Sequence, residues 1–255
     1  MKHAITITKK SSTKSHTGSL RLLIASVAFV LINFTNGWAQ TQSLPAAGTS
    51  ALLGQIDGIT IATAVQAPSN QQTPLQVICV FEYTEGDIFN SPPALPRNLN
   101  GLVHIDDALR GILTELRKSG RFEGHALETI LITPPAGSMP AEKLLIIGLG
   151  DRKAFNPELM TAVGSVEMRE ALRLGVSSYS HASDLKDAGI DSPTGTVAVN
   201  VIKGAVSAYE TERFLKDHSL SSSQPITQIT LLAGPAYFQI TGDAVKAFVG
   251  NSKGN

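Results

Sequence analysis

Apolar residues recur along this chain in two alternating periods. Residues 56–65 (IDGITIATAV) alternate apolar with small polar positions, which predicts a strand. Residues 75–83 (LQVICVFEY) are β-branched and aromatic, the pattern of a buried strand. Residues 128–133 (ETILIT) and 143–149 (KLLIIGL) predict two more, the second so continuously apolar that it reads as a central strand covered on both faces. Residues 176–181 and 226–233 (ITQITLLA) complete the predicted strands. The segments 67–74, 84–101 and 134–140 carry the prolines, glycines and asparagines of connections, with Pro92, Pro93 and Pro96 in the longest.

Helical spacing fills the intervals. Ile105, Ala108, Leu109, Ile112, Leu113 and Leu116 form one stripe, opposite Asp106, Asp107, Arg110, Arg117 and Lys118. Acids open this helix, bases close it and Gly120 ends it, so Asp106 and Asp107 are explained by the helix dipole. Asn156-Pro157-Glu158 starts a second helix, with Leu159, Val163 and Val166 facing inward and Gly175 as its stop. Residues 193–217 predict a third despite their valines: Val197, Val201, Ala205, Ala208 and Leu215 share a face that Ile202, Val206 and Tyr209 widen, with Asn200, Lys203, Ser207 and Glu210 opposite. A short helix over 242–249 closes the chain. Strands alternating with helices imply a layered α/β domain over residues 56–250. The Ala-, Ser- and Thr-rich residues 40–55 read as a flexible N-terminal tail.

The first 39 residues change the charge balance. Lys2, Lys9, Lys10, Lys14 and Arg21 occur with no acid, an apolar run spans 22–32, and the small residues Gly37 and Ala39 follow. These are the parts of a secretory signal, with cleavage expected after Ala39 and a secreted or periplasmic product. The apolar run of 11 residues is shorter than the roughly 20 a spanning helix needs, so no stable membrane span is expected. Removing five of 21 bases leaves 16 against 21 acids, a net charge of −5 that gives no basic patch for nucleic acid. Cys79, the one cysteine, lies in the apolar run Val77–Phe81 and reads as a buried small hydrophobe; an exported chain with one thiol must be held by its core.

Three segments carry a family resemblance. In HIDDALRGILTELRKSGRFEGHALETILI, an acid-led helix ends in Lys118-Ser119-Gly120, a Phe122-Glu123-Gly124 turn follows, and a strand opens at Glu128-Thr129. KLLIIGLGDR ends a strand on Gly148-Leu149-Gly150 before a proline-led helix. Lys203-Gly204-Ala205 runs to Ala208-Tyr209, with lysine where the family has an acid. In order and spacing these resemble the N-terminal domain of the M17 leucyl aminopeptidases, over residues 75–249. The resemblance implies a macro-domain-like three-layer α/β/α sandwich with a mixed central sheet. It also implies that catalysis belongs elsewhere: the family's two metal ions are held in a C-terminal domain by an Asn-Thr-Asp-Ala-Glu-Gly-Arg segment and a lysine-containing Asp-x-Gly-Gly segment. Neither occurs in these 255 residues.

Other chemistry is sparse. Gly148-Leu149-Gly150 begins like a dinucleotide fingerprint, but Lys153 stands where its third glycine is required. Gly148, Gly150, Asp151 and Arg152 remain a weak anion or ADP-ribose-like site on fold analogy, against the simpler reading of a tight exit from the sheet. His181 with Asp184, Asp187 and Asp191 lacks the spacing of a Ca²⁺ loop and reads as a solvated loop. His104, His125 and His218 read as surface residues, and no His-Glu-x-x-His or Gly-x-Ser-x-Gly motif occurs. The expectation is therefore an exported, non-catalytic binding or assembly domain with no catalytic residue, metal or cofactor of its own. It would pair with itself or with a catalytic M17 partner. The alternatives are a subunit or remnant of a metalloaminopeptidase, and a nucleotide-binding module.

Overall fold

Two strands whose positions are nearly all apolar must be covered on both sides, and they lie inside the sheet. A computed structural model describes residues 43–88 and 95–252. The expected leader with its cleavage after Ala39, and Pro92 and Pro93, lie outside these residues. The strands are β1 (Ser50–Ile56), β2 (Ile59–Ala64), β3 (Leu75–Val80), β4 (Thr129–Ile132), β5 (Lys143–Gly148), β6 (Ser178–Ala182) and β7 (Gln228–Leu232). They form one sheet in the order β1-β2-β7-β6-β3-β5-β4. The interior pairs are parallel, and the two edge strands β1 and β4 run antiparallel to their neighbours.

The period-2 geometry of β3 and β5 divides their side chains between two cores. Val77, Cys79, Leu145 and Ile147 face the helices α3 (Leu159–Leu174), α4 (Thr194–Asp217) and α5 (Phe238–Ser252). Ile78, Val80, Leu144 and Ile146 face α1 (Gly101–Ala108) and α2 (Ile112–Lys118). The result is the expected three-layer sandwich around a mixed sheet.

Three local readings are corrected. The expected tail contains β1, and Asp57-Gly58, inside the expected strand 56–65, is the two-residue turn of a β1–β2 hairpin, with both residues at positive φ. The expected single helix over 105–118 is two. Arg110 and Gly111 adopt φ +58° and +83°, and the Asp106 carboxylate restarts the helix by accepting from the Thr114 N–H at 3.0 Å and its hydroxyl at 2.7 Å. Asp106 is thus a buried cap, and Asp107 pairs with Arg97 at 2.6 Å. The third correction concerns α4, where Asn200 is buried, not outward, and donates to Pro157 O at 2.9 Å.

α3 and α4 pack backbone to backbone. A Cβ on Gly164 would overlap Val201 O, and one on Gly204 would overlap Thr161 O. Ser165 Oγ donates across this seam to Gly204 O at 3.0 Å. The glycines are needed here for closeness, since both sit inside helices.

Candidate functional site

The carboxyl ends of β2, β6 and β7 open onto a cavity of about 320 Å³. In open α/β sheets this end is where connections leave room for ligands. Val65, Leu99, Val197, Leu231 and Pro235 supply apolar wall, and Gly101 and His104 of α1 and Thr194 and Ala198 of α4 complete it. α4 enters from Pro193 with no side-chain cap, so the positive end of a 24-residue helix faces the space.

His181 of β6 and Ser183, Asp184, Lys186, Asp187 and Ser192 of the β6–α4 connection supply polar lining. The expectation of a solvated loop around His181 is corrected for two of its members, because His181 and Asp187 are buried. His181 lies one residue before the end of β6, where Nδ1 lies 2.6 Å from Glu167 Oε2 and Nε2 lies 3.0 Å from Ser183 Oγ. Glu167 comes from the inward face of α3 and is fully buried; Tyr179 OH donates to its other oxygen at 3.3 Å. Asp187 Oδ2 accepts from Gly101 N at 2.8 Å, and Asp187 O accepts from the Asn100 side chain at 3.1 Å, so this connection anchors the start of α1.

Asp184 and Asp187 lie near enough to bias one another's titration. Burial, reinforced by the Asp187 charge, holds the Asp184 carboxyl well above the usual carboxylate range, although Cys79 N donates to it at 3.3 Å. Burial also pushes Asp187 up to about 6, against the pull of the Gly101 hydrogen bond and of the neighbouring Asp184. The folded chain therefore holds protons that the unfolded chain has released above pH ~4, and stability falls as pH rises from ~4 through 6 and on through the Asp184 titration. Asp184→Asn keeps a donor and an acceptor without the charge. Thermal melts should show the variant more stable than the parent at pH 8 and level with it at pH 4. Equal melting at pH 8 would show that the pair is not held protonated.

The other foreseen residues lie elsewhere. Gly148 and Gly150 press against the 124–126 segment: a Cβ on Gly148 would overlap His125 O, and Gly150, at φ +74°, donates to Gly124 O at 2.9 Å. Asp151 caps the short turn 152–154 through Lys153 N. Arg152 donates to Ala188 O at 2.7 Å and lies 3.4 Å from Asp87. None of these four lines the cavity. Asp191 is exposed and pairs with Lys186 at 3.1 Å. His125 and His218 are exposed as expected, whereas His104 is half-buried on the cavity wall. Cys79 is buried, and burial with the nearby Asp184 and Glu167 charges raises its thiol well above the ordinary value, which makes it inert.

A two-metal centre does not fit these residues. Among the described residues no group of three or more His, Cys, Asp or Glu side chains is placed to hold a metal ion. The Asp184 and Asp187 carboxylates are instead engaged by the backbone N–H groups of Cys79 and Gly101. Nor is any described helix long and apolar enough to cross a membrane. The residues sequence reasoning missed are Glu167 and Ser183. The available signal was an acid at Glu167, four positions after the inward-facing Val163.

Residues 91–217 match the cytosol aminopeptidase family, N-terminal domain. A probable cytosol aminopeptidase of Thermosynechococcus vestitus is 28% identical over 181 residues, which are 69% of this chain and 32% of that protein. The chain thus spans less than a third of this relative's length. Among solved structures, a tomato leucine aminopeptidase variant superposes with a TM-score of 0.51 at 18% identity, covering 73% of this chain and 35% of that one. The Oceanobacillus iheyensis macrodomain does so at 15% identity, with a TM-score of 0.51 for a variant over 80% of this chain and 99% of that one, and 0.50 for the structure with ADP. These structural likenesses establish the macro-like fold.

Proposed function

Since this chain belongs to the cytosol aminopeptidase family through its N-terminal domain, we propose that it is an exported binding and assembly domain that carries none of the family's peptidase chemistry. The observation that carries the binding reading is the cavity of about 320 Å³ at the carboxyl ends of β2, β6 and β7. Its walls are mainly aliphatic, and burial disfavours the charged form of its acids. Lys186 is engaged with Asp191 and with Ser192 O at 2.9 Å. Such a lining suits a small, uncharged, largely apolar molecule. The basic, acid-free residues 1–21 and the apolar run after them support export. Peptidase chemistry, where this domain serves it, comes from segments outside these 255 residues, which contain neither metal-holding motif. Pairing with a second copy, or with a chain that carries those motifs, is the assembly this implies.

Calorimetric titration of the full chain tests the cavity. N-propylbutyramide, a neutral probe of suitable size, should bind at one saturable site, more tightly than ADP. Ala198→Phe, which fills the space from α4, should abolish it. No saturable binding, or binding unchanged in Ala198→Phe, would remove the cavity as the ligand site. ADP binding tighter than the amide would favour a nucleotide ligand.

A further inference from the structure

The hydrogen-bond chain at the cavity floor has a direction. Glu167 as a carboxylate only accepts, so His181 Nδ1 must donate to Oε2 across the 2.6 Å contact. In the neutral imidazole this leaves Nε2 as an acceptor, and Ser183 Oγ stands 3.0 Å from it with a proton to give. Tyr179 OH, donating to Glu167 Oε1, holds the carboxylate from its other side. The acid and the imidazole are buried, so their orientation is fixed by packing, whereas Ser183 is half-exposed on the cavity wall. The next residue, Asp184, takes φ +55°, a backbone conformation uncommon for a residue with a Cβ, and it turns the chain sharply directly after Ser183.

The geometry points to Ser183, His181 and Glu167 as a serine-hydrolase constellation, acting on short-chain esters of uncharged alcohols. A hydroxyl nucleophile bonded to a base, and that base oriented by a buried acid, is recognised by geometry and role and not by sequence order. Ser183 Oγ would attack the ester carbonyl carbon as its proton passes to His181 Nε2. The carbonyl oxygen would take the electron pair, facing the uncapped amino end of α4, whose Thr194 and Val197 line the same space. Collapse breaks the bond to the alcohol oxygen, which leaves with the proton from Nε2. Water then cleaves the acyl-serine by the same path in reverse. The cavity's size limits the acyl chain, and the Asp184–Asp187 pair disfavours substrates that bring their own negative charge. Ser183 and His181 are the catalytic residues and Glu167 is a positioning residue.

This rests on reading the cavity as the ligand site, and its test separates the two. The full chain is incubated with a small alkyl fluorophosphonate and mapped by mass spectrometry, and hydrolysis of p-nitrophenyl acetate is followed in parallel. One adduct on Ser183 is expected, absent from heat-unfolded protein. Ser183→Ala, at a half-exposed position, should fold normally and lose at least about 100-fold in ester turnover. Glu167→Gln should shift the pH profile of labelling, which a purely packing role would leave in place. No adduct on Ser183, or ester turnover unchanged in Ser183→Ala, overturns the assignment. If N-propylbutyramide still binds in that case, the cavity survives as a ligand site and only the chemistry is lost.

Discussion

Replacing Arg117 with methionine is expected to lower stability by about 3–5 kcal/mol, the usual cost of stranding one member of a buried ion pair. Arg117 on α2 and Asp87 in the β3–α1 connection are 1% and 3% exposed, with contacts of 3.0 and 2.5 Å, and the same guanidinium donates to Phe81 O at 2.7 Å. Losing it leaves Asp87 buried, with Arg152 at 3.4 Å as the remaining cation among the described residues, and releases the start of the loop that leads to α1. Urea unfolding of Arg117→Met should show the midpoint fall with little change in slope. Adding Asp87→Leu should restore part of the loss, because the stranded charge goes with it. A loss under about 1 kcal/mol would mean that the pair is solvated, as surface pairs are.

Gly204→Ala should be destabilising although alanine is the better helix former. Exchange of glycine for alanine in an open helix gains roughly 1 kcal/mol. At Gly204 the new methyl overlaps Thr161 O of α3, and a flexible side chain is not what stands in the way. The two helices must separate, and overpacking of this kind costs about 1–3 kcal/mol or more. Gly164→Ala, which meets Val201 O from the other side, should behave alike, and the pair should be non-additive because one separation relieves both. Thermal melts of the two single variants and the double variant check this. A stabilised Gly204→Ala would show that the helices are not in backbone contact.

Most of the architecture was legible because its signals are local. β3 and β5 are apolar apart from Gln76 and Lys143, and only a covered strand tolerates that. α3 announced itself through Asn156-Pro157-Glu158 and ended on Gly175, which takes φ +67°. β1 was not legible as a strand, because on this edge strand Leu52 faces solvent and Gly54 sits in a register shift where Val249 of α5 approaches. The break between α1 and α2 follows from a tertiary-like use of Asp106, whose carboxylate reaches eight residues ahead. The site was legible only in pieces. His181 stood out, but its partner Glu167 lies 14 residues earlier on another element, and spacing alone grouped the histidine with aspartates it does not touch. Gly148-Leu149-Gly150 drew attention for a good reason, close backbone approach, yet the approaching group is the 124–126 segment.

A chain without a two-metal peptidase centre should neither hold stoichiometric metal nor hydrolyse Leu-p-nitroanilide. The most direct measurement is metal content together with hydrolysis of Leu-p-nitroanilide by the purified full chain, with and without added Mn²⁺ and Zn²⁺. Substoichiometric metal and no turnover above buffer in any condition are the results expected. Stoichiometric metal with turnover that persists through further purification would contradict the claim.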